Sequence, residues 1–198
     1  TGVQTCALPI YYYLEIPDTL CHKNPQKSRK VHVFHGGQLH NHKNTRPLLI
    51  IGGTAQTINT WSGILHALCK HRNVYIYETR GQGTTSLRIL KNEMEGQELE
   101  FPKIEASQCI STQITMKTHV TDFHEIIKAL KITPNSDSEK IDIIGFSFGG
   151  RLAMNIAVFF PDFIHKCVIV GVPSQRDFKA NLILSSWIDL LSAFDMKG

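Results

Sequence analysis

The chain reads as an α/β protein, a mostly parallel sheet with helices on both faces, and three observations predict it. Short runs of apolar and β-branched residues alternate along the chain with longer amphipathic stretches. One run, Leu48-Leu49-Ile50-Ile51, is apolar without alternation, as a strand covered on both faces must be. Another run, Ile141-Asp142-Ile143-Ile144, passes through Gly145-Phe146-Ser147-Phe148-Gly149-Gly150 into a long apolar stretch at 152–160. That is the pattern of strand, sharp turn and helix.

The remaining elements follow in order. Residues 11–16 form an aromatic-rich strand ended by Pro17-Asp18, and residues 31–34 form a second, followed by Gly36-Gly37 and a polar loop to Arg46. After Gly52-Gly53, residues Trp61, Ile64 or Leu65, and Leu68 recur at helical spacing, with Lys70, His71 and Arg72 near the C-terminal end. Val74–Tyr77 is the next strand, and Arg80-Gly81-Gln82-Gly83 turns the chain. Residues 86–113 lack a clean period and read as a long loop. Val120, Phe123, Ile126, Ile127 and Leu130 mark a second amphipathic helix, closed by Pro134-Asn135-Ser136-Asp137. Residues 167–170 make a strand after Pro161-Asp162, and Leu184, Trp187, Ile188, Leu191 and Phe194 share one face of a last helix.

Composition narrows the function classes. At 198 residues the chain is long enough for one domain with a real core, and 42% hydrophobic against 19% charged residues is ordinary for a globular protein. Its net charge of +4 is scattered apart from the stretch around Lys23–Lys30, which reads as a solvated loop and not a nucleic-acid arm. No apolar run approaches the ~20 residues that a membrane helix needs. The five cysteines are widely spaced without a C-x-x-C pair, so neither a zinc ribbon nor a thioredoxin-type site is available. Cys69 and Cys167 fall in apolar stretches as core thiols, and a reducing, intracellular compartment fits them. Residues 1–10 resemble a translated adapter read-through and are set aside from the fold.

The chemistry centres on Ser147. In a G-x-S-x-G elbow the serine sits in a strained turn that lifts its hydroxyl clear of the sheet. Gly145 and Gly149 are expected there because a Cβ at either place would strike the turn's own backbone. The helix that follows aims its unpaired N–H groups at the reacting centre. Arg151, in that helix's first turn, opposes the helix dipole and calls for a carboxylate partner, either Glu78 or an anionic substrate; a protein acid is the favoured one. His32, His35, His40 and His42 match no ligand spacing, and His124-Glu125 lacks the second histidine of H-E-x-x-H, so no metal or other cofactor is expected. Gly81-Gln82-Gly83 is half a dinucleotide fingerprint, with Ser86 where a third glycine belongs.

Three ordered landmarks resemble the α/β-hydrolase fold superfamily. Pro47-Leu-Leu-Ile-Ile-Gly-Gly-Thr54 is similar to the family's strand ending in His-Gly-x, with Gly52 in the histidine's place. Tyr77-Glu-Thr-Arg-Gly-Gln-Gly-Thr-Thr85 is similar to Asp-x-Arg-Gly-x-Gly-x-Ser, with Glu78 for the Asp and Thr85 for the Ser. The third landmark is the elbow, with Gly145, Ser147, Gly149 and Gly150. The resemblance covers residues 31–175 and implies an incomplete hydrolase core over 11–175 that lacks the family's last strands, with the start of a helical cap at 176–198.

The resemblance further implies a serine hydrolase acting on an ester, thioester or related small acyl substrate. Ser147 would be the nucleophile, and the backbone N–H groups of Thr54 and Phe148 would hold the oxyanion, one such donor being worth about 3–4 kcal/mol. Gly53 is the alternative to Thr54. Trp187 and Phe194 would line an apolar pocket under the cap, with Arg151 a further pocket residue. The family's triad runs Ser, then Asp or Glu, then His. Asp162 and His165 precede a strand at the sheet's far end, and Asp189 and Asp195 lie on the cap helix, so the acid and base are expected beyond residue 198 and this piece alone should be inactive. Ser147-Phe-Gly-Gly-Arg151 also resembles the elbow of a menaquinone-pathway synthase branch that eliminates pyruvate. A non-catalytic member that only binds in the pocket is a third possibility. Dehalogenase and epoxide hydrolase relatives place Asp where Ser147 stands, which disfavours both. Oligomeric state is left open.

Overall fold

The unbroken apolar runs take the middle of the sheet. In the computed structural model, residues 9–18, 28–37, 45–85, 114–132, 134–173 and 178–195 are described. The strands are β1 (Ile10–Pro17), β2 (Ser28–Gly36), β3 (Leu48–Ile51), β4 (Val74–Tyr77), β5 (Ile141–Phe146) and β6 (Ile164–Val170). The helices are α1 (Ser62–Cys69, preceded by a 3-10 turn at Ile58–Trp61), α2 (Met116–Ala129), α3 (Phe148–Phe159) and α4 (Phe178–Asp195). The sheet order is β1-β2-β4-β3-β5-β6. β4, β3, β5 and β6 run parallel, whereas β1 and β2 form an antiparallel hairpin joined antiparallel to β4. All four residues of β3 are buried. The sheet is therefore mixed but mostly parallel, as the sequence predicts.

Alternation along each strand divides the core. Val31, Val33, Leu49, Ile51 and Ile143 meet Phe123, Ile126 and Ile127 of α2 and Leu152, Ala153 and Ile156 of α3. Phe34, Leu48, Ile50, Val74 and Ile76 face the other way, onto Ile58 and Leu65. Helices thus cover both faces. α2 begins four residues before its first predicted apolar marker, because Thr115 and Thr118 exchange side-chain and backbone hydrogen bonds across its N-terminus.

β3 and β4 have the predicted ends. β2 and β6 are longer than hydrophobicity alone suggests, since polar residues extend them through tertiary partners. Arg29 in β2 pairs with Asp122 of α2 at 2.8 Å, and His35 stacks on Tyr75 with ring centroids 4.2 Å apart. β1 starts at Ile10, opposite His35, so the sheet takes in one residue of the segment set aside above. The predicted loop at 86–113, the rest of that segment at 1–8, and Cys6, Cys21, Cys109, His40 and His42 lie outside the described residues.

At the edge where the parallel strands begin, Arg72 donates to the Arg46 carbonyl and to Asp142 Oδ2 at 2.7 Å, and His165 Nδ1 stands 2.9 Å from Asp142 Oδ1. His165 therefore lies at the opposite edge of the sheet from Ser147, which follows the end of β5. Partial burial raises the Asp142 pKa, but the Arg72 and His165 hydrogen bonds outweigh it and hold the carboxyl below its ordinary value of 3.8. A depressed pKa stabilises the fold above that ordinary value, and the stabilisation is lost as pH falls through the folded value. Urea midpoints measured against pH should show wild type losing stability below about pH 4. Asp142→Asn should be less stable at neutral pH and should lack that acid-side loss. Parallel profiles would contradict the linkage.

Candidate active site

Three loops gather at the edge where the parallel strands end. β5 stops at Phe146, and Ser147 adopts φ 51°, ψ −113° before α3 begins at Phe148. A serine in that region carries about 1–3 kcal/mol of backbone strain, which the surroundings must hold in place. Here the Ser147 N–H donates to the Val170 carbonyl of β6 at 2.8 Å, and the Ser147 carbonyl accepts from Arg151 N–H at 3.2 Å. The Ser147 side chain is exposed, and among the described residues no imidazole or carboxylate bonds its hydroxyl.

The glycines have separate reasons. A Cβ on Gly145 would run into the Gly149 carbonyl and Gly150 Cα, the turn's own backbone. One on Gly149 would strike the carbonyl oxygen of Ile51, so close approach of α3 to the end of β3 gives Gly149 a reason the sequence does not show. Gly150 is pressed by the Val172 side chain.

The loop after β3 lies against the elbow. A Cβ on Gly53 would fall 3.1 Å from Ser147 Cβ and 3.2 Å from the Phe146 carbonyl oxygen. The Gly53 N–H donates to Gln56 Oε1 at 2.6 Å, and Gln56 N–H returns to the Gly53 carbonyl at 3.1 Å. Thr54 stands exposed between them, and Ala55 takes a left-handed φ of 62° to close the turn. Gln56 belongs to no motif, and its one signal in the sequence is its place three residues after Gly53.

Glu78, at the end of β4, is buried and does not reach for Arg151. Its carboxylate accepts from the backbone N–H groups of Ile58 (3.3 Å), Thr84 (2.8 Å) and Thr85 (3.4 Å) and from the Thr84 hydroxyl (3.0 Å). His32 Nδ1 lies 3.2 Å away, unaligned for a hydrogen bond. The Glu78 partnership expected for Arg151 is therefore overturned: the carboxylate is already filled by the loops it ties together. Among the described residues no carboxylate pairs with Arg151, whose carbonyl accepts from Asn155 Nδ2 at 2.8 Å.

An open cavity of about 290 Å³ borders the loop, lined by Gln56, Thr60, Trp61, Gly63, Ile64 and Phe146. Trp61 meets Phe146 edge-on at 6.3 Å. Trp187 lies outside that lining, 56% exposed on α4, and the Phe194 side chain lies outside the described residues. Among the described residues no three of His, Cys, Asp or Glu gather as a metal site, and no helix is long and apolar enough to cross a membrane.

Comparison with known proteins agrees with this architecture. The family model for the alpha/beta hydrolase fold matches residues 46–194, and the chain belongs to that family. No curated protein matches it. Among solved structures it is similar to an alpha/beta hydrolase enzyme from a Medee basin deep-sea metagenome library, at 17% identity and TM-score 0.61, over 83% of this chain and 49% of that one. A hydrolase from Pseudomonas aeruginosa is 17% identical with TM-score 0.58, over 92% and 52%. An epoxide hydrolase from Vigna radiata is 16% identical with TM-score 0.55, over 86% and 41%. The chain thus spans about half the length of the solved relatives it matches. At such identities the likeness establishes the fold.

Gly149→Ala should destabilise the protein by about 1–3 kcal/mol or more, because the new methyl meets backbone that cannot rotate away. Gly63→Ala in α1 meets nothing within 4 Å and should stabilise by about 0.5–1 kcal/mol. Urea unfolding of the two variants checks the contrast, and equal effects would contradict it.

Proposed function

We propose that the complete gene product is a serine hydrolase, acting on a small ester, thioester or related acyl substrate through Ser147. The observation that carries this reading is an exposed serine held at positive φ, one residue ahead of a helix N-terminus. Phe148 N–H opens α3 and has no acceptor within its own helix. Gly53 N–H is taken by Gln56, which favours Thr54 as the second donor. Ser147 Oγ would attack the acyl carbon while its proton passes to a base. The carbonyl π-pair would move onto oxygen, to be held between the N–H groups of Thr54 and Phe148. Collapse would expel the alcohol or thiol, protonated by the same base, and water would release the acid.

We place that base and its acid outside these 198 residues, in the second half of a hydrolase-sized protein. We assign Arg151, which lacks a carboxylate partner among the described residues, to an anionic part of the substrate, and Trp187 to an apolar wall contributed by α4. The unbonded hydroxyl of Ser147 is a weak nucleophile without its base, so the test belongs to the full-length product. Incubated with a fluorophosphonate probe, that product should acquire a single adduct on Ser147, mapped by peptide mass spectrometry, and Ser147→Ala should acquire none. An adduct elsewhere, or none on the wild type, would overturn the assignment.

A further inference from the structure

The side chain that leans on Phe148 comes from a different helix. His119, in the first turn of α2, is 7% exposed and sets its ring edge-on to Phe148, with centroids 5.1 Å apart and planes at 75°. One turn further along α2, Asp122 is 2% exposed and gripped from two sides: Arg29 of β2 at 2.8 Å, and Arg80 through Nε at 3.0 Å and Nη2 at 2.9 Å. Asp18, after β1, holds Arg80 from a third direction at 2.9 Å. α2 is thereby pinned to the β1-β2-β4 half of the sheet, and His119 is carried at a fixed place on it. Phe148 packs both on that ring and against the core, and its backbone opens α3.

We propose that His119 is a positioning residue that braces Phe148 and so keeps its N–H aimed at the oxyanion formed on Ser147. This rests on the serine hydrolase reading above. Misplacing a catalytic group by about 1 Å costs on the order of 10²-fold in rate, so a brace on the donor residue acts on turnover and not on substrate affinity.

The chemistry of the brace sets a pH condition. Burial disfavours the imidazolium and lowers the His119 pKa from its ordinary 6.5; Asp122 opposes that shift, and Arg80 and Arg29 reinforce it. Phe148, the neighbour on α3, brings no charge. The ring is accordingly neutral at neutral pH. As pH falls below 6.5 and through the lowered pKa, a cation forms in a buried site that already feels the Arg80 and Arg29 charges, and the brace loosens.

The test uses the full-length product, p-nitrophenyl butyrate hydrolysis and the rate of fluorophosphonate labelling at Ser147. At pH 7.5, His119→Ala should lower kcat by about ten-fold or more with KM changed less than about two-fold. His119→Phe, which keeps a ring but cannot protonate, should recover most of that kcat. It should also fall less than wild type between about pH 6.5 and pH 5, any acid limb shared by both belonging to the general base. Unchanged kcat in His119→Ala overturns the proposal. So does a His119→Phe variant as slow as His119→Ala, or one with the full wild-type acid limb. Should His119→Ala fail to fold, the turnover and pH profile of His119→Phe decide alone. Failure of the wild type to label at Ser147 would instead overturn the serine hydrolase reading and this inference with it, whereas normal labelling that ignores residue 119 overturns only the brace.

Discussion

The close approach of α3 to the ends of β3 and β5 is the constraint on which the rest of the structure depends. Packed layers of secondary structure are ordinarily kept apart by the side chains between them, about 10 Å for two stacked sheets. Here Gly149 lets the helix backbone reach the carbonyls of Ile51 and Gly52, and Gly145 lets the strand fold back under the helix it feeds. A single residue separates strand end from helix start, and Ser147 turns the chain there at positive φ. The exposure of Ser147, the Phe148 N–H without an acceptor in its own helix and the proximity of Gly53 then go with that one packing arrangement.

A second constraint, electrostatic in kind, fixes what surrounds the elbow. Asp122 and Asp18 hold Arg29 and Arg80 in a buried cluster that joins the β1–β2 hairpin, the turn after β4 and α2. Such a cluster need not add net stability, since desolvating four charges is costly, but it permits few alternative geometries. Burial lowers the Arg29 pKa despite Asp122. For Arg80, burial acts against the charge, but its bonds to Asp122 and Asp18 prevail and raise the pKa. Glu78 does comparable work with backbone donors, binding the turn at 84–85 to the start of the 3-10 turn at Ile58. The loop bearing Gly53 and Thr54 is thus anchored at both ends, by β3 before it and by Glu78 after it.

Much of this was legible in the sequence because it is local. The apolar runs of β3 and β4 mark strands covered on both faces, and Gly145-x-Ser147-x-Gly149 announces a strand-to-helix turn without reference to anything distant. What escaped was non-local. Arg29 and His35 extend β2 only because Asp122 and Tyr75 meet them in space. Glu78 offered Arg151 a partner on charge alone; the sequence does not show that three backbone N–H groups and a hydroxyl consume that carboxylate first. Gln56 and His119 carry no pattern of their own, since one acts through a loop's internal hydrogen bond and the other across two helices. Trp187 fits an apolar helical face, but whether that face meets a pocket depends on packing that amphipathic spacing cannot specify.

The strain at Ser147 also ties the site to β6. A backbone angle that costs about 1–3 kcal/mol persists only where several contacts agree on it. One of those contacts is internal to the elbow, Arg151 N–H on the Ser147 carbonyl, and a second sets Gly149 against the end of β3. The third is the Val170 carbonyl, which accepts the Ser147 N–H from the end of β6. Among the described residues β6 pairs only with β5, and Val168, Ile169 and Val170 are 51%, 41% and 42% exposed. Whatever orders the end of β6 therefore sharpens the elbow as well, because the same carbonyl serves both.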